Sequence, residues 1–376
     1  MTAVPLNREQ ILQLQRDRAS KQAQPSADTA SELWNELKPR ILAREVLPII
    51  SNSVLDSLVF PLNLTDANGV TQNPDEILAD LLAEKLDYPF PDRTRLARVA
   101  QYASYSGFDM GTAKSRYLSF LKETLLLFAE MSDPDAAAEL RPHVDEPSYT
   151  FTKLAAELDY PQAPDGKPNP LNLLARIQLP VYVTTSFYGF MERALEQEGR
   201  TPITHVCFWN NKDQAMAEAS PYYPKPDFKP DPMTPVVYHL FGYEEEASSL
   251  LISEDDHLEF LKNIARDRTN TLQPIIPTYL RGHLANSSLI MLGYRLPEWD
   301  FRVLFRGVIP LYIEQPRYKS LAIQLEPSQQ NGIADVGKAE KYLTTYFDKA
   351  NFGVVWQDVF NFVGELWNRW DQWRQR

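Results

Sequence analysis

Seven short runs with a continuous apolar, β-branched character are spaced along this chain, and most are separated by stretches of helical period. They are "EVLPII" (Glu45 to Ile50), "LPVYVTT" (Leu179 to Thr185), "ITHVCFW" (Ile203 to Trp209), "PVVYHLF" (Pro235 to Phe241), "SSLIMLGY" (Ser287 to Tyr294), "SLAIQL" (Ser320 to Leu325) and "FGVVWQ" (Phe352 to Gln357). Runs without polar alternation suit strands buried on both faces, which is the situation in a parallel sheet covered by helices. The helical stretches between them include "SFYGFMERALEQEG", which stops at Gly199, and "SEDDHLEFLKNIARD", which opens on a serine cap. The order βαβα predicts an α/β fold, a Rossmann-like doubly wound parallel sheet.

One long stretch departs from that alternation. Residues 66–165 hold "DEILADLLAEKL", "TRLARVAQYAS", "TAKSRYLSFLKETLLLFAEM" and "FTKLAAEL", all helical in period, and are expected to form a helical insertion after the first strand. Residues 1–41 are expected to be an N-terminal helical segment, and 42–376 the α/β domain, closing with a strand and a Trp-rich helix over 352–376. That last helix carries Val359, Phe360, Val363, Leu366, Trp367, Trp370 and Trp373 on one stripe. The stripe packs either on the chain's own body or on a partner or second copy. The Pro-rich segment from Phe208 to Pro235 is read as a long surface excursion.

Charge and cysteine content narrow the function. The formal net charge is −12 over 376 residues, so there is no global basic field to hold a nucleic acid. A single cysteine, Cys207, excludes an intramolecular disulfide and a cysteine zinc cluster, which suits a reducing cytoplasm. No metal site is expected. Neither an apolar run of signal-peptide length nor one of membrane-spanning length is present, so a cytoplasmic, soluble protein is expected.

In a doubly wound sheet, ligands lie at the carboxyl ends of the strands. Those ends read "ISNS", "TTSFY", "HLFGYEE" and "LGYRLPEWDF" and are rich in small, hydroxyl and glycine residues. Backbone amides and helix N-termini there are suited to phosphate, although neither GxGxxG nor GxxxxGK[ST] occurs. Ser51, Asn52 and Ser53 are either ligand contacts or a polar turn and cap. Thr184, Thr185 and Ser186 supply three hydroxyls where capping needs one. Glu254, Asp255 and Asp256 are read as support for a helix start.

The run "PVVYHLFG…SLLISEDDHLEFL…LRGHLANSSLIMLGYRLPEWDFRVLFRG" resembles the second half of bacterial sirtuin-like domains, an NAD-binding family whose members include NAD-degrading antiphage effectors. The resemblance spans roughly Leu42 to Trp373, with "LGYRLPEWDFRVLF" its most specific part. "LPVYVTTSFYGFMERAL" resembles the family's strand ending in Thr-Thr-Asn, with Ser186 in place of the asparagine. "EVLPIISNS" occupies the slot of the Gly-Ala-Gly turn, with Ile50, Ser51 and Asn52 there. His239, Leu240, Phe241 and Gly242 stand where the family has Lys-Leu-His-Gly, so the usual base position is a phenylalanine.

The resemblance implies NAD or ADP-ribose as ligand, held by Ser51, Asn52, Ser53, Thr184, Thr185, Gly242, Gly293 and Tyr294. If the domain is an enzyme, it implies an NAD+ hydrolase in which Ser186 positions a water and His239 assists its deprotonation. The leading expectation from the resemblance is an NAD+ glycohydrolase-type effector of antiphage defence; the alternative, which the departures favour, is a degenerate NAD- or ADP-ribose-binding module, or an assembly element using the C-terminal helix. The missing base and zinc cluster disfavour deacylation. Strand alternation predicts that His239 and Phe241 share a face about 7 Å apart. His239 then either serves a relocated site or is a buried histidine bonded to a carbonyl.

Overall fold

The structure, a computed structural model, describes residues 27–60, 74–105, 110–163, 167–210, 214–225, 228–267, 274–295, 298–313, 318–324 and 335–375. By internal contacts the chain divides into Met1–Pro39 and Arg40–Arg376. The first unit is described only from residue 27, where it is helical. All that follows concerns the second.

Each of the seven apolar runs contains one strand: β1 (Val46–Ile50), β2 (Val181–Thr184), β3 (Ile203–Val206), β4 (Val236–His239), β5 (Ser288–Leu292), β6 (Ser320–Gln324) and β7 (Phe352–Trp356). They form one all-parallel sheet in the order β3-β4-β2-β1-β5-β6-β7. Every residue of β1, β2, β4, β5 and β6 is buried, whereas β3 and β7 at the two edges are partly exposed. Burial on both faces explains the unbroken apolar character of the inner strands. Leu47, Ile49, Val181, Val183, Tyr238 and Met291 point into one cluster with Phe260, Phe301, Phe305 and Phe347. Their alternate neighbours, including Tyr182, Thr184, Val237 and His239, face the opposite side. The architecture is a Rossmann-like α/β fold.

The sheet has its switch point at β1, since the chain goes to β2 on one side and reaches β5 on the other. Ile50 is level with both Thr184 and Leu292, and Thr184 is level with His239. Four strand endings therefore finish in one row. Between β1 and β2 come the helices Asn52–Val59, Pro74–Lys85, Leu96–Tyr105, Met110–Ala129, Pro134–Leu140, Phe151–Glu157 and Pro170–Arg176. Several of them lie over that row.

The segment read as a surface excursion contains a helix, Gln214–Ala219, and residues 211–213 and 226–227 fall outside the described residues. On the C-terminal helix Val359–Arg374, Phe362, Val363, Leu366 and Trp370 are buried, and the helix packs on Pro170–Arg176 and β6. Among the described residues no helix is long and apolar enough to cross a membrane.

Candidate functional site

The row of strand endings brings together residues far apart in sequence. Ser51 N donates to Leu292 O at 3.0 Å, Thr185 N to Ile50 O at 3.0 Å, and Leu240 N to Thr184 O at 2.9 Å, so the ladder continues one residue past each strand. Ser51, Thr184, Thr185, Ser186, His239 and Tyr294 are all buried. Their polar atoms are satisfied internally, as burial requires. The Ser51 hydroxyl caps its helix by accepting from Val54 N at 3.3 Å, and Thr184 Oγ1 donates to Ile50 O at 3.1 Å. Thr185 Oγ1 and the Tyr294 hydroxyl lie 3.0 Å apart, and Ser186 Oγ accepts from Tyr188 N at 3.2 Å.

Two glycines mark close approaches. Gly293 has φ +79°, and a Cβ there would stand 2.2 Å from Val54 Cγ2 and 2.7 Å from Ser51 Oγ. Gly242 has φ +100°, and its Cβ would lie 2.5 Å from Leu250 Cα. Both left-handed conformations favour glycine, and in both cases the neighbouring space is filled by protein. Asn52, Ser53 and Gly293 are half-buried and form the accessible rim. Asn52 Nδ2 donates to Asp56 Oδ2 at 2.6 Å, while its buried Oδ1 has no hydrogen-bond partner among the described residues.

His239 is fully buried. Its Nδ1 lies 2.8 Å from the main-chain carbonyl of Ser186, and its Nε2 lies 2.8 Å from Glu192 Oε1. A carbonyl can only accept, so Nδ1 carries a proton. Nε2 is left facing the Glu192 carboxyl. Ser186 and His239 are thus neighbours, but the contact runs through the serine's backbone and not its hydroxyl. Glu192 Oε1 also accepts from Thr204 Oγ1 at 2.9 Å, and Oε2 is buried without a partner among the described residues.

The expectation that His239 and Phe241 share a face is not met. The strand ends at His239, and a turn at Leu240 and Phe241 breaks the two-residue alternation. Phe241 packs edge-on against Phe260, 5.5 Å between centroids, in the cluster that holds Tyr238. It belongs to the other side of the sheet from the histidine.

The helical layer seals the row from above. Phe151 stacks on Tyr188 at 4.6 Å, the Tyr188 hydroxyl donates to Asp56 Oδ1 at 2.9 Å, and Tyr117 meets Phe187 edge-on. The buried Lys114 Nζ lies 3.2 Å from Asp256 Oδ1 and 5.0 Å from the Trp209 ring. Glu244, just beyond β4, accepts from Thr152 N, the Thr152 hydroxyl and Gly189 N. Burial pushes the Glu244 carboxyl up to about 7 against those hydrogen bonds. Ser253 and Asp256 form a reciprocal cap at the start of Glu254–Asp267: Asp256 N donates to Ser253 Oγ, and Ser253 N donates to Asp256 Oδ2.

Beside the rim stands a cluster of acids around one cation. Arg295, directly after Tyr294, pairs with Asp75 and Glu298 and lies 4.0 Å from Glu76. Burial and the Asp75 charge hold the Asp56 carboxyl well above its usual range, and burial likewise raises Asp75 and Glu298. Asp300 is raised to about 6, again chiefly by burial. Asp56, Tyr188, Glu192, Glu244 and Arg295 belong to no local motif. The contacts of Asp56 with Tyr188, Glu192 with His239, Glu244 with Thr152 and Arg295 with Asp75 span 132, 47, 92 and 220 residues, so no local spacing announces them.

A parallel α/β sheet whose hydroxyl-rich switch point meets a helical layer defines a Rossmann-like domain. Residues 180–349, from the start of β2 to the end of the helix Val336–Asp348, match the family model described as "SIR2-like domain", so this part of the chain is sirtuin-like. No curated protein matches the chain.

The row is closely packed in this structure. The Gly293 backbone abuts Val54 and Ser51, and Arg295 at the rim is already engaged by carboxylates. Asp75, Glu298 and Asp300 gather around Arg295 beside the rim, with Asp56 buried next to Asp75. A groove of about 680 Å³ does lie nearby, between the helical layer and Glu254, lined by Tyr88, Phe90, Arg98 and Tyr102. None of the row's residues lines it.

Proposed function

We propose that this chain is a sirtuin-like module that has lost the family's base and keeps its nucleotide edge shut, so that recognition of NAD or ADP-ribose is coupled to displacing the helical layer. The observation carrying this reading is the fate of the base position. Phe241 is packed into the apolar cluster, and both ring nitrogens of the nearby His239 are engaged inside the protein. A general base needs a free nitrogen within about 3 Å of its proton or one water away. Asn52, Ser53 and Gly293 at the rim are the residues proposed to meet the ligand first, with Ser51, Thr184, Thr185, Gly242 and Tyr294 exposed on opening.

A second reading is the NAD+ glycohydrolase-type effector of antiphage defence that the resemblance implies, with Ser186 positioning water and His239 taking its proton. The contact of Glu192 Oε1 with His239 Nε2 at 2.8 Å favours it, because a carboxyl there fixes the orientation of the imidazole beside Ser186. Purified protein incubated with NAD distinguishes the two. Absence of nicotinamide release, together with a rise in melting temperature on adding ADP-ribose, supports the degenerate module. Nicotinamide release that falls in Ser186→Ala and His239→Ala variants shown to be folded would establish the hydrolase instead. Neither turnover nor stabilisation would leave assembly as the role.

A further inference from the structure

The amino ends of the strands carry a polar cavity whose charged lining is mainly cationic. A pocket of about 410 Å³ lies at the amino ends of β2, β3 and β4, under the C-terminal helix Val359–Arg374. It is lined by Arg176, Arg200, Arg374, Glu198, Trp367 and two further residues, Gln178 and Met233. Three guanidinium groups thus face one carboxylate in a chain whose net charge is −12.

The three arginines are not equivalent. Arg176 Nε lies 2.8 Å from Glu198 Oε1, with its guanidinium 5.6 Å from the Trp367 ring centroid. Arg374 lies 3.5 Å from Asp371, one turn back on its own exposed helix face. Arg200 is only 8% exposed and forms no ion pair among the described residues; its guanidinium lies against the Tyr182 hydroxyl, but its Nη1 is buried without a hydrogen-bond partner there. A guanidinium cannot shed its proton to escape that environment. A buried cation left uncompensated is costly, and an anion seated against it recovers that cost.

The local backbone holds the group in place. Gly199, in the left-handed region at φ +75°, stops the helix Phe190–Gln197, and Arg200 N returns to Leu195 O at 3.1 Å. Arg200 therefore enters β3 from a fixed turn and not from a loose loop. Gln178 at φ +64° makes the corresponding turn before β2.

We propose that this pocket is a binding site for a phosphate group carried by a small molecule, with Arg200 as its principal ligand and Arg176 and Arg374 completing the clamp. The planar fork of arginine matches a tetrahedral oxyanion through paired N–H donors. Trp367 and Met233 supply an apolar wall for the remainder of the molecule, and the cavity lies within the range of roughly 300–1,000 Å³ typical of small-ligand sites. This site is separate from the proposed nucleotide edge, which lies at the other ends of the same strands.

The test is calorimetric titration of the full chain with sodium orthophosphate and then with AMP, and with sodium acetate at matched ionic strength. Orthophosphate is expected to bind, AMP to bind more tightly through the apolar wall, and acetate not to compete. Arg200→Gln should weaken orthophosphate at least about tenfold, the loss of a charge-assisted hydrogen bond. Because Arg200→Gln disturbs a buried position, Arg374→Ala on the exposed helix face is the companion variant and should weaken binding in the same sense. Arg95→Ala, an exposed arginine on the helical layer, should leave it unchanged. Absence of binding at about 10 mM orthophosphate, an equal effect of acetate, or equal binding in the folded Arg374→Ala and Arg95→Ala variants would overturn the proposal.

Discussion

Replacing Gly293 with alanine probes directly whether the switch-point edge is filled. At φ +79° an alanine pays about 1–2 kcal/mol for its left-handed backbone. Its Cβ would also stand 2.2 Å from Val54 Cγ2 and 2.7 Å from Ser51 Oγ. Val54 and Ser51 are both buried, and Ser51 caps the helix Asn52–Val59, so neither can move away freely. Overpacking of this kind adds about 1–3 kcal/mol. Gly293→Ala should therefore cost about 2–5 kcal/mol in urea unfolding monitored by circular dichroism. Val54→Ala alone should cost about 1.6 kcal/mol, from two buried methyl groups. Together they should cost about 1–2 kcal/mol less than their sum, since the second change removes the nearest clash of the first. A Gly293→Ala variant within about 0.5 kcal/mol of the parent, or a strictly additive pair, would refute the closed edge.

Two further outcomes follow from the buried polar groups. Glu244 is raised to about 7 from an ordinary value of 4.5, so the fold favours its protonated form. Its contribution to stability is fully present below about pH 4.5 and is lost as pH rises through about 7, by at most roughly 3 kcal/mol. Glu244→Gln should flatten that part of the stability profile, and an unchanged slope in denaturant unfolding between those limits would contradict the assignment. Thr185→Val should cost about 1–3 kcal/mol by stranding the buried Tyr294 hydroxyl, and adding Tyr294→Phe should restore most of it. Unfolding curves on the two single variants and the double variant decide the point.

The parallel sheet was legible because its inner strands are buried on both faces and so read as unbroken apolar runs. The order of those strands was not legible, because nothing in β2 or β5 names the neighbour it will pair with. The site was legible only in part. Ser51, Thr185 and Gly293 could be placed at strand endings by period and turn chemistry. Glu192, in contrast, sits in "FMERALEQ" like a solvent-facing acid, and only the fold reveals that it is buried against His239. Phe241 is the opposite case: two-residue alternation holds only to the strand's end at His239, and the turn at Leu240 and Phe241 reverses the face. The pairings Asp56 with Tyr188, Thr152 with Glu244 and Asp75 with Arg295 join residues 132, 92 and 220 positions apart. Contacts of that range leave no periodic trace.

The two edges of the sheet differ in a way that net charge conceals. At the carboxyl edge, several backbone amides already have acceptors within the chain. Val54 N has the Ser51 hydroxyl, Thr152 N and Gly189 N have Glu244, and Ile252 N and Ser253 N have Asp256. A phosphate arriving there competes with tethered acceptors that pay no association entropy, and it approaches the acids around Arg295. At the amino edge the position is reversed: Arg200 is a buried donor with no anion of its own. Opening the carboxyl edge thus requires breaking internal hydrogen bonds, whereas an anion at the amino edge completes an unfinished set. Free phosphate at low concentration should for that reason report on the arginine pocket, and nucleotide binding at the switch point should appear only with exposure of the Thr152 and Gly189 amides, measurable as their loss of hydrogen-exchange protection.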